Sequence, residues 1–160
     1  LTLLGPPANT ASAKLPQQLQ AAGIPCQPHA DMDAVLWRKL AINCLINPLT
    51  VLLDCHNGQL LKQQSQLSPL IAELQTLLKA SGHSKLAAEL PNSLHEVLQA
   101  TAANVSSMLQ DVRLGRRTEI SYMSGYALQQ CQQLGIAVPA LGDLHQQLQH
   151  RLRQLGLPDD

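Results

Sequence analysis

Residues 37–50, WRKLAINCLINPLT, are the stretch that decides the fold of this chain. The stretch is apolar nearly all the way round a helix, which is typical of a helix buried in a core. Lys39, Asn43 and Asn47 follow one another at intervals of four residues, so they form one polar line along this helix. Because a buried ammonium is costly unless it is paired, the line predicts the wall of a polar cavity that holds a ligand.

This polar line has two interpretations. In the first, Lys39 extends to the surface and the two amides bond to neighbouring carbonyl groups. In the second, a partly buried lysine holds its proton less tightly and acts as a general acid near neutral pH, while the amides orient a substrate. The spacing alone leaves both open.

The composition restricts the classes of function. Of the 160 residues, 45% are hydrophobic, which is enough for a domain with a real core. Charged residues make up 14% with a formal net charge of zero, and aromatic residues make up 2%, so the chain offers nucleic acid neither a basic footprint nor stacking platforms. No apolar run approaches the roughly 20 residues that cross a bilayer, so we expect no membrane partner.

The four cysteines are widely scattered, and Cys55-His56 is the one adjacent pair of potential metal ligands. We therefore expect reduced thiols, a cytoplasmic location and no metal site. The chain begins at Leu1, with neither Met nor the basic segment of a signal peptide, so we expect a piece of a longer protein.

The pattern changes near residue 30. In residues 1–30, residues that break secondary structure separate a short helix expected over residues 11–22 and a short strand expected over residues 24–27. This pattern is typical of the end of an α/β unit. Residues 31–160 predict an all-α domain of about six helices. The helices expected there cover residues 31–47, 68–82, 93–113, 118–134 and 141–155.

Sequence signals set these helix boundaries. Asp31 or Asp33 caps the first helix, and Pro48 ends or kinks it. A proline after Ser68 starts the second helix, and Ser93 opens a capping box. The N-G pair at residues 57–58 is a turn signal. Thr118 caps the fourth helix, which ends at Gly135.

Two further clusters are candidates for chemistry. Asn104, Ser107 and Asp111 share a helix face at the i, i+3, i+7 spacing, either as ordinary surface polarity or as hydrogen-bonding groups for a carboxylate or hydroxyl ligand. Three arginines follow, either as a phosphate patch or as caps of a helix C-terminus. They are Arg113, Arg116 and Arg117. Glu119 lies in the first turn of the next helix and pairs with Lys39 if the two helices face each other.

Taken together, these segments resemble the C-terminal domain of the ketopantoate reductase family. The family blocks W-x-K-L-x-x-N-x-x-I-N-P-L-T, N-G-x-L, N-x-S-S-M-L-Q-D, R-x-T-E-I and G-I-x-V-P match in order across residues 37–139. The chain departs from the family at Ser121 and Ser124, where Asp and Asn are usual. No G-x-G-x-x-G nucleotide motif occurs in the chain.

The resemblance implies a fold, a cofactor and roles for single residues. The fold is all-α, like the C-terminal domain of 6-phosphogluconate dehydrogenase, over residues 31–160, with residues 1–30 as the tail of a preceding Rossmann domain. NADPH is bound mainly by that Rossmann domain, and the helical domain closes over ketopantoate. Lys39 is the proton donor, and Glu119 contacts the nicotinamide nucleotide. The substrate-binding residues are Asn43, Asn47, Asn57, Asn104 and Ser107.

Three functions remain open from the sequence. The chain is the substrate domain of a reductase in pantothenate and coenzyme A synthesis and is inactive without its Rossmann domain, or it belongs to a reductase of another 2-oxo acid, or it is a non-catalytic helical interaction module. The expected partners are ketopantoate and the Rossmann domain. A homodimer, in which a second copy of the chain is the partner, is one oligomeric state that we consider.

Overall fold

A computed structural model describes residues 2–6 and 14–160 and divides the chain into two compact units, Leu1–Trp37 and Arg38–Asp160. The sequence predicts a boundary after residue 30, seven residues earlier than the limit between these units. Helix α2, Met32–Leu53, contains the limit between the two units.

The first unit contains a strand, a helix and a second strand. Strand β1, Thr2–Leu4, pairs in parallel with β2, Cys26–Pro28, and α1, Leu15–Ala21, connects them. Gly23 follows α1 with φ of 75°, a conformation that favours glycine and ends the helix. The predicted strand over residues 24–27 is found two residues later, and residues 11–13 of the predicted helix lie outside the described residues.

The second unit is helical, which confirms the predicted all-α fold class. After α2 come a 3₁₀ helix, five α-helices and a π-helical turn that leads directly into α6. They are the 3₁₀ helix Asn57–Lys62, α3 Gln64–Ala80, α4 Ser84–Ala100, α5 Ser107–Arg113, the π turn Ser121–Gly125, α6 Tyr126–Gln133 and α7 Pro139–Gln154.

Leucines fill the core of this unit. The amphipathic helices α3, α4 and α7 each bury one leucine-rich face, and α3 packs on both α4 and α7. Glu73 of α3 also caps α7, because its two carboxylate oxygens accept the N–H groups of Ala140 and Leu141, each at 2.8 Å. The cap fixes the start of α7 on α3.

Helix α2 is apolar and largely buried from Ala41 onward, and it passes through Pro48 instead of ending there. Its buried residues begin at Ala41 and continue to Val51, so core packing stabilises both sides of the proline. Helix α2 has 22 residues and contains a window with a mean hydropathy of 1.2. It is therefore long and apolar enough to cross a membrane, whereas the sequence analysis expected no such segment. Burial of 56% of that window inside the chain is the behaviour of a core helix.

Three other predicted boundaries are wrong. Helix α3 begins four residues before Ser68 and contains Pro69, and α4 begins at Ser84, so Ser93 is interior and caps nothing. Residues 101–106 separate α4 from α5, where one helix was expected. The interruption exists because Asn57 and Gly58 donate their backbone N–H groups to carbonyl groups of this segment.

Candidate active site

The polar line on α2 runs from solvent into the core. Lys39 is exposed, Asn43 is half-buried, and Asn47 is 4% exposed. Of the two interpretations, the chain shows the one in which Lys39 extends to the surface, because Lys39 lies two residues before Ala41, where the buried part of α2 begins. Its ammonium is free of ion pairs among the described residues. The line therefore has a free cation at its exposed end and an amide at its buried end.

Asn47 is held by two contacts. Its side-chain Nδ2 donates to Sδ of Met123 at 3.3 Å, and its backbone carbonyl accepts the hydroxyl of Thr50 at 2.9 Å. Within the described part of the chain, no group bonds to the side-chain carbonyl of Asn47. The amide is thus oriented through its nitrogen, and its oxygen is left to accept a hydrogen bond.

Asn57 begins the 3₁₀ helix and is 8% exposed. Its Nδ2 donates to Oγ1 of Thr101 at 3.0 Å, and its backbone N–H donates to the carbonyl of Asn104 at 3.0 Å. Its side-chain oxygen is buried without a partner among the described residues. Leaving a buried acceptor unpaired costs about 1–3 kcal/mol, so this oxygen is a candidate acceptor for a ligand hydroxyl.

The contact beside Asn57 depends on glycine. A Cβ built on Gly58 would lie 2.7 Å from Cβ of Ala102 and 3.0 Å from its carbonyl oxygen. The N–H of Gly58 donates to that same carbonyl at 3.2 Å. The N-G signal in the sequence therefore marks a close approach of two backbones, and it brings Asn57 to the segment that contains Asn104.

Asn104 and Ser107 are exposed, but they do not share a helix face. Asn104 lies in the segment before α5, and Ser107 is the first residue of α5. The predicted common face with Asp111 is therefore wrong, since the helix does not extend back to Asn104. Asn104 instead lines an open surface cavity of about 490 Å³ with Val105, Gln110, Arg113 and Leu114.

A buried pair of hydroxyls connects these segments, and the sequence analysis missed it. The Oγ atoms of Thr50 and Ser106 lie 2.6 Å apart, and Ser106 Oγ also accepts the N–H of Leu109 at 3.2 Å. Because Thr50 donates to Asn47, the Ser106 hydroxyl donates to Thr50. A serine directly before the S-M-L run was an N-cap signal that could have identified Ser106.

Two of the three arginines form ion pairs with carboxylates. Arg113 donates from Nε and Nη2 to one carboxylate oxygen of Asp54, at 3.2 and 2.8 Å, and does not cap α5. Arg117 pairs with Asp160 at 2.9 Å. These two cations are not free to bind a phosphate, since each already has a carboxylate partner.

Glu119 is exposed and precedes the π turn. It therefore lies outside the helix in whose first turn the sequence places it. Its backbone carbonyl accepts the N–H groups of Tyr122 and Met123. Thr118 caps nothing, because its buried hydroxyl has no partner among the described residues. Nor does an ion pair join Glu119 to Lys39 in this part of the chain.

The π turn contributes two buried contacts that the sequence did not indicate. Met123 accepts the hydrogen bond from Asn47, and Oγ of Ser124 lies 2.8 Å from Nδ1 of His145 on α7. Burial lowers the pKa of His145, so the imidazole is kept neutral against Ser124.

The cysteines and histidines form no metal centre in the described ranges, where no group of three or more His, Cys, Asp or Glu could hold an ion. The four cysteines are buried free thiols. Burial raises the pKa of Cys44 to about 12, with Cys131 adding a smaller effect, so that thiol is chemically unreactive.

The described site therefore contains an exposed cation, three asparagines and a buried hydroxyl pair. Hydrogen bonds connect Asn47, through Thr50 and Ser106, to the segment of Asn104, and that segment to Asn57. No hydrogen bond among the described residues joins Lys39 or Asn43 to this network. A cation and amides are the groups that can bind a small oxygen-rich anion.

Comparisons with known proteins identify the family of this chain. Residues 31–152 match the family model described as ketopantoate reductase PanE/ApbA C terminal. A 2-dehydropantoate 2-reductase of Shigella flexneri is 43% identical over 111 residues, which cover 69% of this chain and 37% of that protein.

Solved structures show the same fold. A PanE/ApbA family ketopantoate reductase from Ralstonia eutropha superposes with a TM-score of 0.86 at 25% identity, over 97% of this chain and 53% of that one. D-mandelate dehydrogenase in complex with NADH superposes with a TM-score of 0.78 at 20% identity, over 96% of this chain and 54% of that one, which shows a shared fold. The chain thus spans between a third and just over half of these proteins. Because the family model matches more than half of its residues, the chain belongs to the ketopantoate reductase PanE/ApbA C-terminal domain family.

Proposed function

We propose that this chain is the substrate domain of an NADPH-dependent 2-dehydropantoate 2-reductase. The observation that carries the proposal is the hydrogen-bond network that joins Asn47, Asn57 and Asn104, together with Lys39 on the same helix as Asn47. Two side-chain carbonyls of this network, on Asn47 and Asn57, lack donors among the described residues. A hydroxylated oxo acid supplies such donors, and its carboxylate and oxo group supply acceptors.

Lys39 acts as the proton donor in this proposal. Reduction of a 2-oxo acid builds negative charge on the oxo oxygen, and a cation aimed at that oxygen stabilises the charge and then supplies the proton. Exposure of Lys39 in this chain is compatible with the role if a second domain closes over it. One preorganised donor of this kind lowers the barrier by about 3–4 kcal/mol.

The asparagines and Ser107 bind and orient the substrate. Asn43 and Asn47 follow Lys39 along α2 toward the core, and Asn57 offers its unpaired carbonyl to the substrate hydroxyl. Asn104 and Ser107 are exposed at the rim, where Ser107 is a candidate donor to the substrate carboxylate. Holding the oxo carbon in one orientation contributes to the rate because it removes rotational freedom before the reaction.

A nicotinamide nucleotide, when bound, supplies the hydride. It is held mainly by a Rossmann domain that precedes this chain in the complete protein. The residues here fit a contact with it from one side, because the buried hydroxyl of Thr118 has no partner next to the free carboxylate of Glu119. Glu119 would hold a hydroxyl or amide of the nucleotide, and this chain alone would be inactive.

The wider biological setting follows from this assignment. The product is pantoate, which belongs to pantothenate and coenzyme A synthesis, and buried free thiols suit a reducing cytoplasm. The partners are ketopantoate and the Rossmann domain, and a homodimer is part of the proposal. Neither nucleic acid nor a membrane is included among the partners.

An NADPH-oxidation assay tests the proposal. The chain is assayed together with the nucleotide-binding domain that precedes it, using ketopantoate, a set of other 2-oxo acids, and NADH as the alternative cofactor. We expect the highest kcat/KM with ketopantoate and NADPH, and no turnover by residues 1–160 alone. Preference for another oxo acid would move the assignment to a different reductase, and no turnover with any oxo acid would support a non-catalytic module.

A further inference from the structure

The π turn Ser121–Gly125 contacts the candidate site through Met123, which accepts a hydrogen bond from Asn47. Its defining bond runs from the N–H of Gly125 to the carbonyl of Ile120 at 3.0 Å, which is an i to i+5 spacing. A turn of this kind holds one residue more than an α-helical turn, and it persists only where neighbouring contacts stabilise it. The side chains that it buries identify those contacts.

Two consecutive side chains of the turn point at two different helices. Met123, 6% exposed, accepts the hydrogen bond of Asn47 Nδ2 from α2. Ser124, 0% exposed, has its hydroxyl 2.8 Å from Nδ1 of His145 on α7. The turn therefore bridges α7 and the amide that we assign to substrate binding.

We propose that His145 is a positioning residue for Asn47, acting through Ser124, the π turn and Met123. Among the described residues, the hydroxyl of Ser124 has one other hydrogen-bond partner, the carbonyl of Ile120, to which it donates at the longer distance of 3.4 Å. Because Ser124 is fully buried, water does not replace a lost imidazole. Only the last step, binding of an oxo acid by Asn47, rests on the function proposed above.

The geometry explains how the effect reaches Asn47. Without the imidazole, the buried hydroxyl of Ser124 loses its short hydrogen bond, and the extra residue of the turn is no longer stabilised. Relaxation to α-helical spacing rotates the side chains on one side of the turn by roughly 100° about the helix axis. Sδ of Met123 then leaves Nδ2 of Asn47, and the amide loses its fixed orientation.

The first part of the test needs no substrate. Asn47 side-chain amide resonances and hydrogen exchange at the Gly125 amide are measured by NMR in the protein and in His145→Leu and Ser124→Ala. We expect both variants to shift the Asn47 resonances and to accelerate exchange at Gly125 by roughly five- to tenfold, the equivalent of one hydrogen bond. His145→Asn keeps an acceptor and donor at the position of Nδ1 and should restore wild-type values.

Controls and a second readout separate positioning from general destabilisation. Gln146→Ala, at an exposed position of α7, should change neither quantity. In the active protein, His145→Leu should raise KM for the oxo acid by roughly five- to tenfold and change kcat by less than about twofold. Unshifted Asn47 resonances in both His145→Leu and Ser124→Ala would overturn the inference, even if one of them folds poorly. Absence of reductase activity would overturn the proposed function and leave the NMR result to decide on His145.

Discussion

At the scale of single residues, the sequence located the polar line on α2 but not its surroundings. The four-residue spacing of Lys39, Asn43 and Asn47 was sufficient to place them on one side of a helix. It could not show that burial begins only at Ala41, because that limit depends on which elements pack on α2. Thr50 and Ser106 were missed for the same reason: their 2.6 Å contact joins residues 56 positions apart.

Removal of the Lys39 ammonium should abolish most of the catalytic rate. In the complete protein we expect Lys39→Ala to lower kcat by about 10²–10³-fold, the usual effect of losing one donor to a developing oxyanion. Lys79→Ala, an exposed lysine in the last turn of α3, is the matched control. Steady-state kinetics with circular dichroism measures both variants, and near-normal turnover of a folded Lys39→Ala protein would reject Lys39 as the proton donor.

Truncation of an asparagine in the polar line should act mainly on binding. We expect Asn43→Ala and Asn47→Ala each to raise KM by roughly five- to tenfold, since each removes one hydrogen bond to the substrate. Asn47→Ala should also lower the melting temperature, because its contact with Met123 is buried. An unchanged KM in both variants would assign these amides to structure alone.

At the scale of elements, propensity signals failed where tertiary contacts opposed them. A proline inside a helix costs about 3 kcal/mol, yet α2 continues past Pro48 because it buries apolar residues on both sides. Residues 101–106 leave the helix because Asn57 and Gly58 donate to the carbonyls of Asn104 and Ala102. The ends of helices at Gly82 and Gly135 were predicted well, since both depend on a local positive φ.

The close approach at Gly58 gives a test at this scale. A methyl group there would overlap Cβ and the backbone of Ala102, and backbone cannot move aside cheaply. We expect Gly58→Ala to lower the free energy of unfolding by about 1–3 kcal/mol, as overpacking does. Gly142→Ala is the matched control, because nothing lies within 4 Å of its Cβ and alanine favours a helix. Denaturant unfolding compares them, and equal stability would contradict the geometry.

At the scale of the whole molecule, stability should depend on the protonation of His145. Burial lowers the pKa of His145 below 6.5, its ordinary value, so the native chain binds this proton less readily than the unfolded chain. The contribution of the neutral imidazole is present above pH 6.5 and is lost as pH falls toward the lower native value. His145→Leu should therefore show a smaller decrease in melting temperature between about pH 7.5 and about pH 5.5. Gln146→Leu serves as the control, and an identical decrease in all three proteins would refute the prediction.

The two compact units should differ in how readily they open. In the described residues of the first unit, Cys26 is the one buried residue, whereas Cys44 and Cys131 lie in the leucine-rich core of the second. The pKa of Cys44, raised to about 12 by burial, leaves almost no thiolate near neutral pH. Iodoacetamide followed by peptide mass spectrometry should therefore modify Cys26 before Cys44 and Cys131, which should react only as fast as the second unit unfolds. Chemical denaturation should make all of them react alike, and modification of Cys44 at the denatured rate in the native chain would show that this core is not closed.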